Sequence, residues 1–313
     1  MNKCLICYNR CADGDYHPHC ARSFFQTQYP PKLPYGIGNF KELAKQEIQT
    51  SCATITGVQK KISLDIQKEG QTRRLTFVNV FGRFILKPPT DQYPLMPIVE
   101  HLSMCMAKNT GLDVVPHALI RLESGELAYM SRRVDRLPNG EKLHMEDMCQ
   151  LTERLTEHKY NSSMENVAKA IKQYSSATMF NIVRFFEITI FSFLIGNADM
   201  HLKNFSLIYK GVEPIAFAPA YDLLSTRLLI PESVDPEEMA LTLNGKKRKL
   251  NRKDFDQFGK NIGLTQKQIE NVLSHMQEKM DRFYQLIHVS FLSKELQEDF
   301  IQLIQSRAKR LQS

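Results

Sequence analysis

Apolar residues follow two different periods along this chain, and the change from one to the other divides it. From Lys61 to Ile66 apolar and polar positions alternate, Arg74 to Val80 is rich in β-prone residues, and Arg83 to Leu86 is short and apolar. Gly70 and the Phe81-Gly82 pair supply turns between these segments, which together predict a small antiparallel sheet. Ile98 to Asn109 instead sets Ile98, Leu102, Cys105 and Met106 on one side of a helix that stops at Gly111. Two further strands are predicted at Val114 to Ile120 and Leu127 to Arg133. Past Lys142 helical spacing takes over, with helices expected at Glu146 to Leu155, Met164 to Tyr174, Ala177 to Ile195 and most of Asp254 to Leu311. Thr265 with Gln268 makes a capping-box signature. Asn244-Gly245, between Met239–Leu243 and Lys246–Leu250, makes a hairpin signature. A strand-rich first half and a helical second half predict an α+β, bilobal architecture. Its parts are a Cys/His-rich head and a Pro/Gly-dense connector over residues 1–36, an N-lobe over 37–140 and a helical C-lobe over 141–313.

Length and composition narrow the class without naming it. The chain has 313 residues, 42% hydrophobic and 24% charged, ordinary for a globular protein of one large two-lobed unit or two tightly joined domains. It shows neither internal repeats nor low-complexity segments, which sets solenoids and long disordered tails aside. The first residues lack the apolar stretch of a secretory signal, and the apolar run Ile188 to Ile195 is too short to span a bilayer. A cytoplasmic protein with no membrane partner is the expectation. Four of the seven cysteines lie in the first 20 residues, in a spacing that fits metal ligation in a reducing compartment better than a disulfide framework. The net charge of +7 leans mildly towards a nucleotide, an acidic protein surface or RNA.

The chemistry concentrates after a helix that is apolar nearly all round. Val183, Phe185, Phe186, Ile188, Ile190, Phe191, Phe193, Leu194 and Ile195 leave almost no polar face, so this helix is expected to be buried. It leads into Gly196-Asn197-Ala198-Asp199-Met200-His201-Leu202-Lys203-Asn204. Asp199 and Asn204 have the spacing of the protein-kinase catalytic loop, where the Asp receives the hydroxyl proton and the Asn ligates magnesium. Asp222 follows after the strand-like Ser206 to Tyr209 and Ile215 to Ala218, placed to return a second hard oxygen donor for Mg²⁺. Each residue alone has a plainer reading, as a helix cap or turn residue. Lys87 ends the strand Phe84-Ile85-Leu86, and Glu100 lies near the start of the next helix. A kinase needs such a lysine on the ATP phosphates and such a glutamate to orient it. The loop Thr54-Ile55-Thr56-Gly57-Val58-Gln59 has small and hydroxylated residues whose backbone could approach phosphates, although from this segment alone an ordinary turn before a strand is the better reading. Cys4-x-x-Cys7 and His17-x-x-Cys20 form two pairs with zinc-ribbon spacing, with Cys11 and His19 as spares. A reduced, metal-free cap is the alternative. The run Lys246-Lys247-Arg248-Lys249 with Arg252 and Lys253 is either a solvated hairpin and loop or a surface for an acidic or RNA-bearing substrate.

Six segments in order resemble the successive motifs of the HipA family of kinases. They are Thr54 to Lys61, Ile85 to Pro88, Ser131 to Arg136, Glu146 to Gln150, Ile195 to Asn204 and Tyr221 to Ser225. The Cys/His head resembles the short N-terminus of HipT-type members. The resemblance implies a two-lobed, protein-kinase-like Ser/Thr kinase that inhibits growth as the toxin of a toxin–antitoxin system, with ATP between the lobes. It implies Asp199 as catalytic residue, Asn204 and Asp222 as Mg²⁺ ligands and Lys87 as the phosphate-binding lysine. Arg132 and Arg133 then fall at the adenine edge, and His201 and Lys203 join the residues expected around the nucleotide, His201 without a chemical step. Thr54 and Thr56 fall in the loop that such enzymes autophosphorylate, where many members carry serine. Implied partners are a protein substrate such as an aminoacyl-tRNA synthetase, a HipB-type antitoxin and a small HipS-like protein. The last would supply an N-terminal subdomain that this chain is too short to contain. Two rivals stay open: a small-molecule phosphotransferase, and a zinc-bearing regulator that binds nucleic acid without catalysis.

Overall fold

In the computed structural model, residues 2–40, 42, 61–70, 72–78, 82–137 and 139–312 are described. They form two compact units, Met1–His101 with Val115–Glu141, and Leu102–Val114 with Lys142–Ser313.

The first unit is built on a five-stranded antiparallel sheet. Its strands are β3 (Ile62–Glu69), β4 (Thr72–Phe77), β5 (Phe84–Lys87), β6 (His117–Arg121) and β7 (Leu127–Arg132), in the order β4-β3-β5-β7-β6. Alternation along these strands sends Leu64, Leu75, Phe84, Leu86, Ala118, Ile120, Ala128 and Met130 to one buried face, as period-two side chains must. A head packs on that face. It consists of the two-residue strands β1 (Asn2–Lys3) and β2 (Arg10–Cys11) and helix α1 (Pro18–Phe25), which contributes Ala21, Phe24 and Phe25 to the same core. Helix α2 (Met96–Asn109) follows β5, and its N-terminal part, including Glu100, belongs to this unit.

The second unit is helical apart from a three-stranded antiparallel sheet of β8 (His144–Asp147), β9 (Ser206–Tyr209) and β10 (Ala216–Phe217), with β9 in the middle. Its helices are α3 (Met148–Leu151), α4 (Met164–Tyr174), α5 (Thr178–Ile195), α6 (Arg252–Asn261), α7 (Gln266–Glu278), α8 (Met280–Val289) and α9 (Lys294–Gln312). Helix α5 is the centre, buried continuously from Ile188 to Ile195 and contacting α4, α7 and α9. At 18 residues it is long and apolar enough to cross a membrane by length and composition, so the expectation of too short a stretch is corrected. Two-thirds of it is buried within the protein, the pattern of a core helix. The Thr265 capping box forms as expected, with Gln268 answering it.

Two local expectations fail for identifiable reasons. Glu146 to Leu155 is not one helix: Glu146 and Asp147 pair with Leu207 and Ser206 as strand β8, and only Met148–Leu151 is helical. Ladder bonds to β9 override the helical pattern, and Asp147 marks the switch by capping Gln150 in a capping box. Asn244-Gly245 does turn, both residues having positive φ, and Leu243 and Lys246 bridge. The flanking strands do not form, because the backbone of Glu238 and Met239 bonds to the Lys247 carbonyl, while Thr242 bridges to Ser163. Part of the basic run beside this turn is paired locally. Lys246 pairs with Asp254 at 2.7 Å, Lys247 with Glu237 at 3.2 Å, and Arg252 with Asp256 and Glu270.

Glu238 ties α9 to this region. Its carboxylate accepts both arms of Arg310 at 2.6 and 2.8 Å and the Leu250 N–H at 3.0 Å, with Arg307 at 3.3 Å. Burial pushes the Glu238 carboxyl up, but these partners outweigh it and hold the group below the ordinary value of 4.5. A depressed folded-state pKa contributes stability that is present above the unfolded value and lost as pH falls through the folded one. Thermal unfolding of wild type and Glu238→Gln is therefore expected to differ most above about pH 5. The two melting curves should converge as pH drops below 4.5.

Candidate active site

The loop after α5 is positioned by its backbone before any side chain acts. Gly196 ends the helix in the left-handed region at φ 72°, and a Cβ there would sit 2.8 Å from the Cβ of Arg227 and 2.9 Å from Leu303. Only glycine accepts both the dihedral and the crowding. The Thr226 hydroxyl donates to the Gly196 carbonyl at 3.2 Å and accepts from the Ala198 N–H at 2.8 Å, while the Arg227 N–H also bonds to Gly196 at 3.0 Å. The segment that follows Asp222 is thereby fastened to the loop that carries Asp199.

Asp199 stands exposed at the loop tip, with its N–H bonded to the Asn197 side chain at 3.1 Å. The Tyr160 hydroxyl donates to Asp199 Oδ1 at 2.7 Å, fixing the carboxylate's rotation, and burial followed by that carboxylate pushes the Tyr160 phenol above its ordinary range. Asn204 is buried and donates its Nδ2 to the Asp199 carbonyl at 2.8 Å. With the amide nitrogen so committed, Oδ1 is the atom this side chain offers to a cation. Asp222 adopts φ 56°, a left-handed conformation uncommon outside glycine and typical of functional turns. The β9–β10 hairpin pairs Leu207 with Phe217 and carries the chain from Asn204 towards Asp222. Tyr221 braces the return, donating to the Lys203 carbonyl at 3.0 Å and sharing a 2.5 Å hydrogen bond with Ser206. Asn204 and Asp222 offer one amide and one carboxylate oxygen, a donor set suited to Mg²⁺.

His201 is buried between the two carboxylates' fields. Burial lowers its pKa more than Asp199 and Asp222 raise it, so the imidazole is neutral at neutral pH. Its ring packs edge-on against Tyr160 at 5.1 Å, which fits a packing role. Lys203 forms an ion pair with Asp147 at 2.7 Å, joining the loop to the N-cap of α3.

In the first unit Lys87 and Glu100 form a salt bridge of 2.5 Å with 4% and 1% of their surfaces exposed. The Lys87 ammonium also lies 5.3 Å from the centre of the Tyr129 ring. Arg132 ends β7, where burial lowers its pKa, and Arg133 grips Asp135 with two hydrogen bonds of 2.9 and 2.7 Å. Thr54, Ile55, Thr56, Gly57, Val58 and Gln59 lie outside the described residues. The ligand atoms of Cys4, Cys7, His17 and Cys20 come together within 4.8 Å of one another.

Tyr160 and Thr226 lie outside the segments picked out by sequence, and Tyr221 and Asp147, though inside two of them, were given no role there. Each acts across 15 to 56 positions of chain, and no local spacing announces such a partner.

With this geometry in place, comparison with known proteins identifies the family. A family model described as the HipA-like C-terminal domain matches residues 53–283. The chain belongs to that family. A Haemophilus influenzae protein named "Putative kinase" is 28% identical over 285 residues, covering 82% of this chain and 81% of its own length. The Sinorhizobium fredii protein named "Putative kinase Y4dM" is 31% identical over 242 residues, and the match spans 74% of this chain but only 58% of that protein. Among solved structures, HipA of Shewanella oneidensis, in a complex with HipB and operator DNA, aligns with a TM-score of 0.67 at 18% identity, covering 86% of this chain and 70% of that one. The Helicobacter pylori proinflammatory kinase CtkA aligns at 0.56 with 15% identity, covering 79% and 93%. The fold of a HipA-like kinase is thus shown, and the named relatives support kinase activity.

Removing one partner of a buried ion pair strands the other charge, at a cost of about 3–5 kcal/mol. Glu100→Ala is expected to lower stability by that order in denaturant unfolding, while Glu100→Gln, which still offers Lys87 an acceptor, costs less. Equal losses for the two variants would show that the charge on Glu100 is what matters.

Proposed function

We propose that this protein transfers the γ-phosphate of ATP to a Ser or Thr hydroxyl of a protein substrate, with Asp199 as the base. The observation that carries this is the pair of bonds from Tyr160 to the Asp199 carboxylate and from Asn204 to the Asp199 carbonyl. They hold a proton acceptor and a hard oxygen donor on one short loop, in the order a phosphoryl-transfer loop requires. Asn204 and Asp222 would hold Mg²⁺, which when bound neutralises charge on the transferring phosphates. Lys87, oriented by Glu100, binds the α- and β-phosphates, and Arg132 and Arg133 lie at the adenine edge. Asp199 accepts the proton as the acceptor oxygen forms its bond to phosphorus and ADP leaves. Positioning and charge neutralisation supply most of the rate, because the transferring group makes little covalent demand on the protein.

Family membership supports a wider reading in which the kinase is a growth-inhibiting cytoplasmic toxin. Its substrate is then a protein such as an aminoacyl-tRNA synthetase, and its partners a HipB-type antitoxin and a small HipS-like protein. Thr54 and Thr56 are the proposed sites of self-phosphorylation. A phosphate there adds about −1.5 to −2 charges where the triphosphate must bind, which would slow transfer.

Incubation with γ-labelled ATP and cell lysate tests the reading. Label is expected on a protein band and to fall by at least about 100-fold with Asp199→Asn, nucleotide binding being retained. Label on a metabolite instead would make the chain a small-molecule phosphotransferase, and undiminished transfer by Asp199→Asn would remove the assigned base. Tyr160→Phe deletes one hydrogen bond to a charged group and is expected to lower kcat by about ten-fold with unchanged ATP affinity. An unaffected kcat would reduce Tyr160 to packing. Peptide mass spectrometry after incubation with ATP tests the threonines: phosphate on Thr54 or Thr56 in wild type and not in Asp199→Asn is expected.

A further inference from the structure

The kinase reading leaves the Cys/His head unused, yet its side chains are arranged around a point. Strands β1 and β2 pair Asn2 with Cys11 and Lys3 with Arg10, and the turn between them is closed by Cys4 N–H to the Asn9 carbonyl at 2.8 Å. This knuckle presents Cys4 and Cys7 from one side. His17 and Cys20 come from the start of α1 on the other. His17 occupies the N-cap position of that helix but its side chain makes no cap bond. The ring instead turns inward, with Nδ1 3.5 Å from Cys7 Sγ and 3.9 Å from Cys20 Sγ, and Nε2 2.9 Å from the Arg10 carbonyl.

That last contact fixes the tautomer. Nε2 must carry the proton to bond a carbonyl, which leaves a lone pair on Nδ1 pointing at the sulfurs. Bond lengths of 2.3 Å to sulfur and 2.0–2.1 Å to nitrogen place ligands of a tetrahedral zinc about 3.6 Å apart for N···S. The two observed N···S separations bracket this value. The spare residues Cys11 and His19 stand outside the cluster of four. Cys11 Sγ donates to the Asp13 carbonyl at 3.2 Å, and His19 Nε2 lies 3.2 Å from Cys20 Sγ but outside the four-residue group. None of the four cysteines is in a disulfide.

We propose that Cys4, Cys7, His17 and Cys20 bind one structural Zn²⁺ and that this ion clamps the head onto the edge of the sheet that carries Lys87. Three thiolates and one imidazole form a closed, soft donor set that suits Zn²⁺ over Mg²⁺ or Ca²⁺. The clamp reaches the sheet through three contacts on edge strand β6. The Leu119 N–H donates to the Leu5 carbonyl at 2.9 Å, the Tyr16 hydroxyl donates to the Leu119 carbonyl at 2.8 Å, and Arg121 pairs with Asp15 at 3.0 Å. Leu5 lies between the first two ligands, Asp15 and Tyr16 directly precede the third, and Phe24 and Phe25 continue from the fourth into the core beside Phe84. A head of this size has little core of its own, so the metal does what a core would do elsewhere.

Metal analysis of the full chain, purified without chelator, is expected to give about one zinc per chain. Cys11→Ser should keep that zinc, whereas Cys4→Ser and Cys20→Ser lose it. Replacement by Co²⁺ should give the intense visible bands of a tetrahedral thiolate site in wild type. Removing the metal with a chelator should lower the melting temperature by more than about 5 °C. A folded wild type without metal, a cobalt spectrum of octahedral oxygen ligation, or zinc retained by both Cys4→Ser and Cys20→Ser would overturn the proposal. Because these readouts need neither ATP nor transfer, they are independent of the kinase reading.

Discussion

One hydroxyl holds the second unit's polar site together. Thr226 donates to the carbonyl of Gly196 and accepts from the N–H of Ala198, so one side chain satisfies a carbonyl that the end of a buried helix leaves open and an N–H of the loop that follows it. The consequence is geometric. Asp222 lies four positions before Thr226 and Asp199 one position after Ala198, so the two carboxylates are held in relation by a short, hydrogen-bonded path. The core helix α5 anchors that path at one end, and the Tyr221–Ser206–Lys203 contacts brace it at the other. A site meant for phosphoryl transfer gains from this, because its catalysis is chiefly placement of charge.

The first unit makes a different compromise. Burying Lys87 and Glu100 takes two charges out of water, and hydrophobic residues of similar volume would serve stability as well or better. An ion pair in that position is understandable when the lysine must meet an anion. Strand β5 supplies the rigidity, since Lys87 stands opposite Tyr129 in a ladder continued by Leu86 opposite Met130. The head reinforces the same sheet through Leu119 and through Phe24 and Phe25 against Phe84.

What could be read from sequence was what depends on neighbours in the chain. The core helix, the Asp199–Asn204 spacing, the Thr265 capping box and the Cys/His pairs are all local patterns, and each forms in the structure. The misreadings have the opposite cause. Glu146 and Asp147 look helical alone but are claimed by β9, and the strands around Asn244-Gly245 are pre-empted by bonds of Glu238 and Met239 to Lys247. The ion pair of Lys203 with Asp147, 56 residues away, could likewise not be read from the loop. Tyr160 and Thr226 escaped for the same reason: aromatic and hydroxyl residues in loops have no pattern until the fold brings their partners to them.

The central claim is that Asn204 and Asp222 form a magnesium site that makes ATP binding metal-dependent. Calorimetric titration of ATP into the wild type and Asp222→Asn, each with Mg²⁺ and with excess chelator, tests it most directly. The account predicts at least about ten-fold tighter binding with Mg²⁺ in wild type, and loss of most of that difference in the variant. Equal magnesium dependence in both proteins would contradict it.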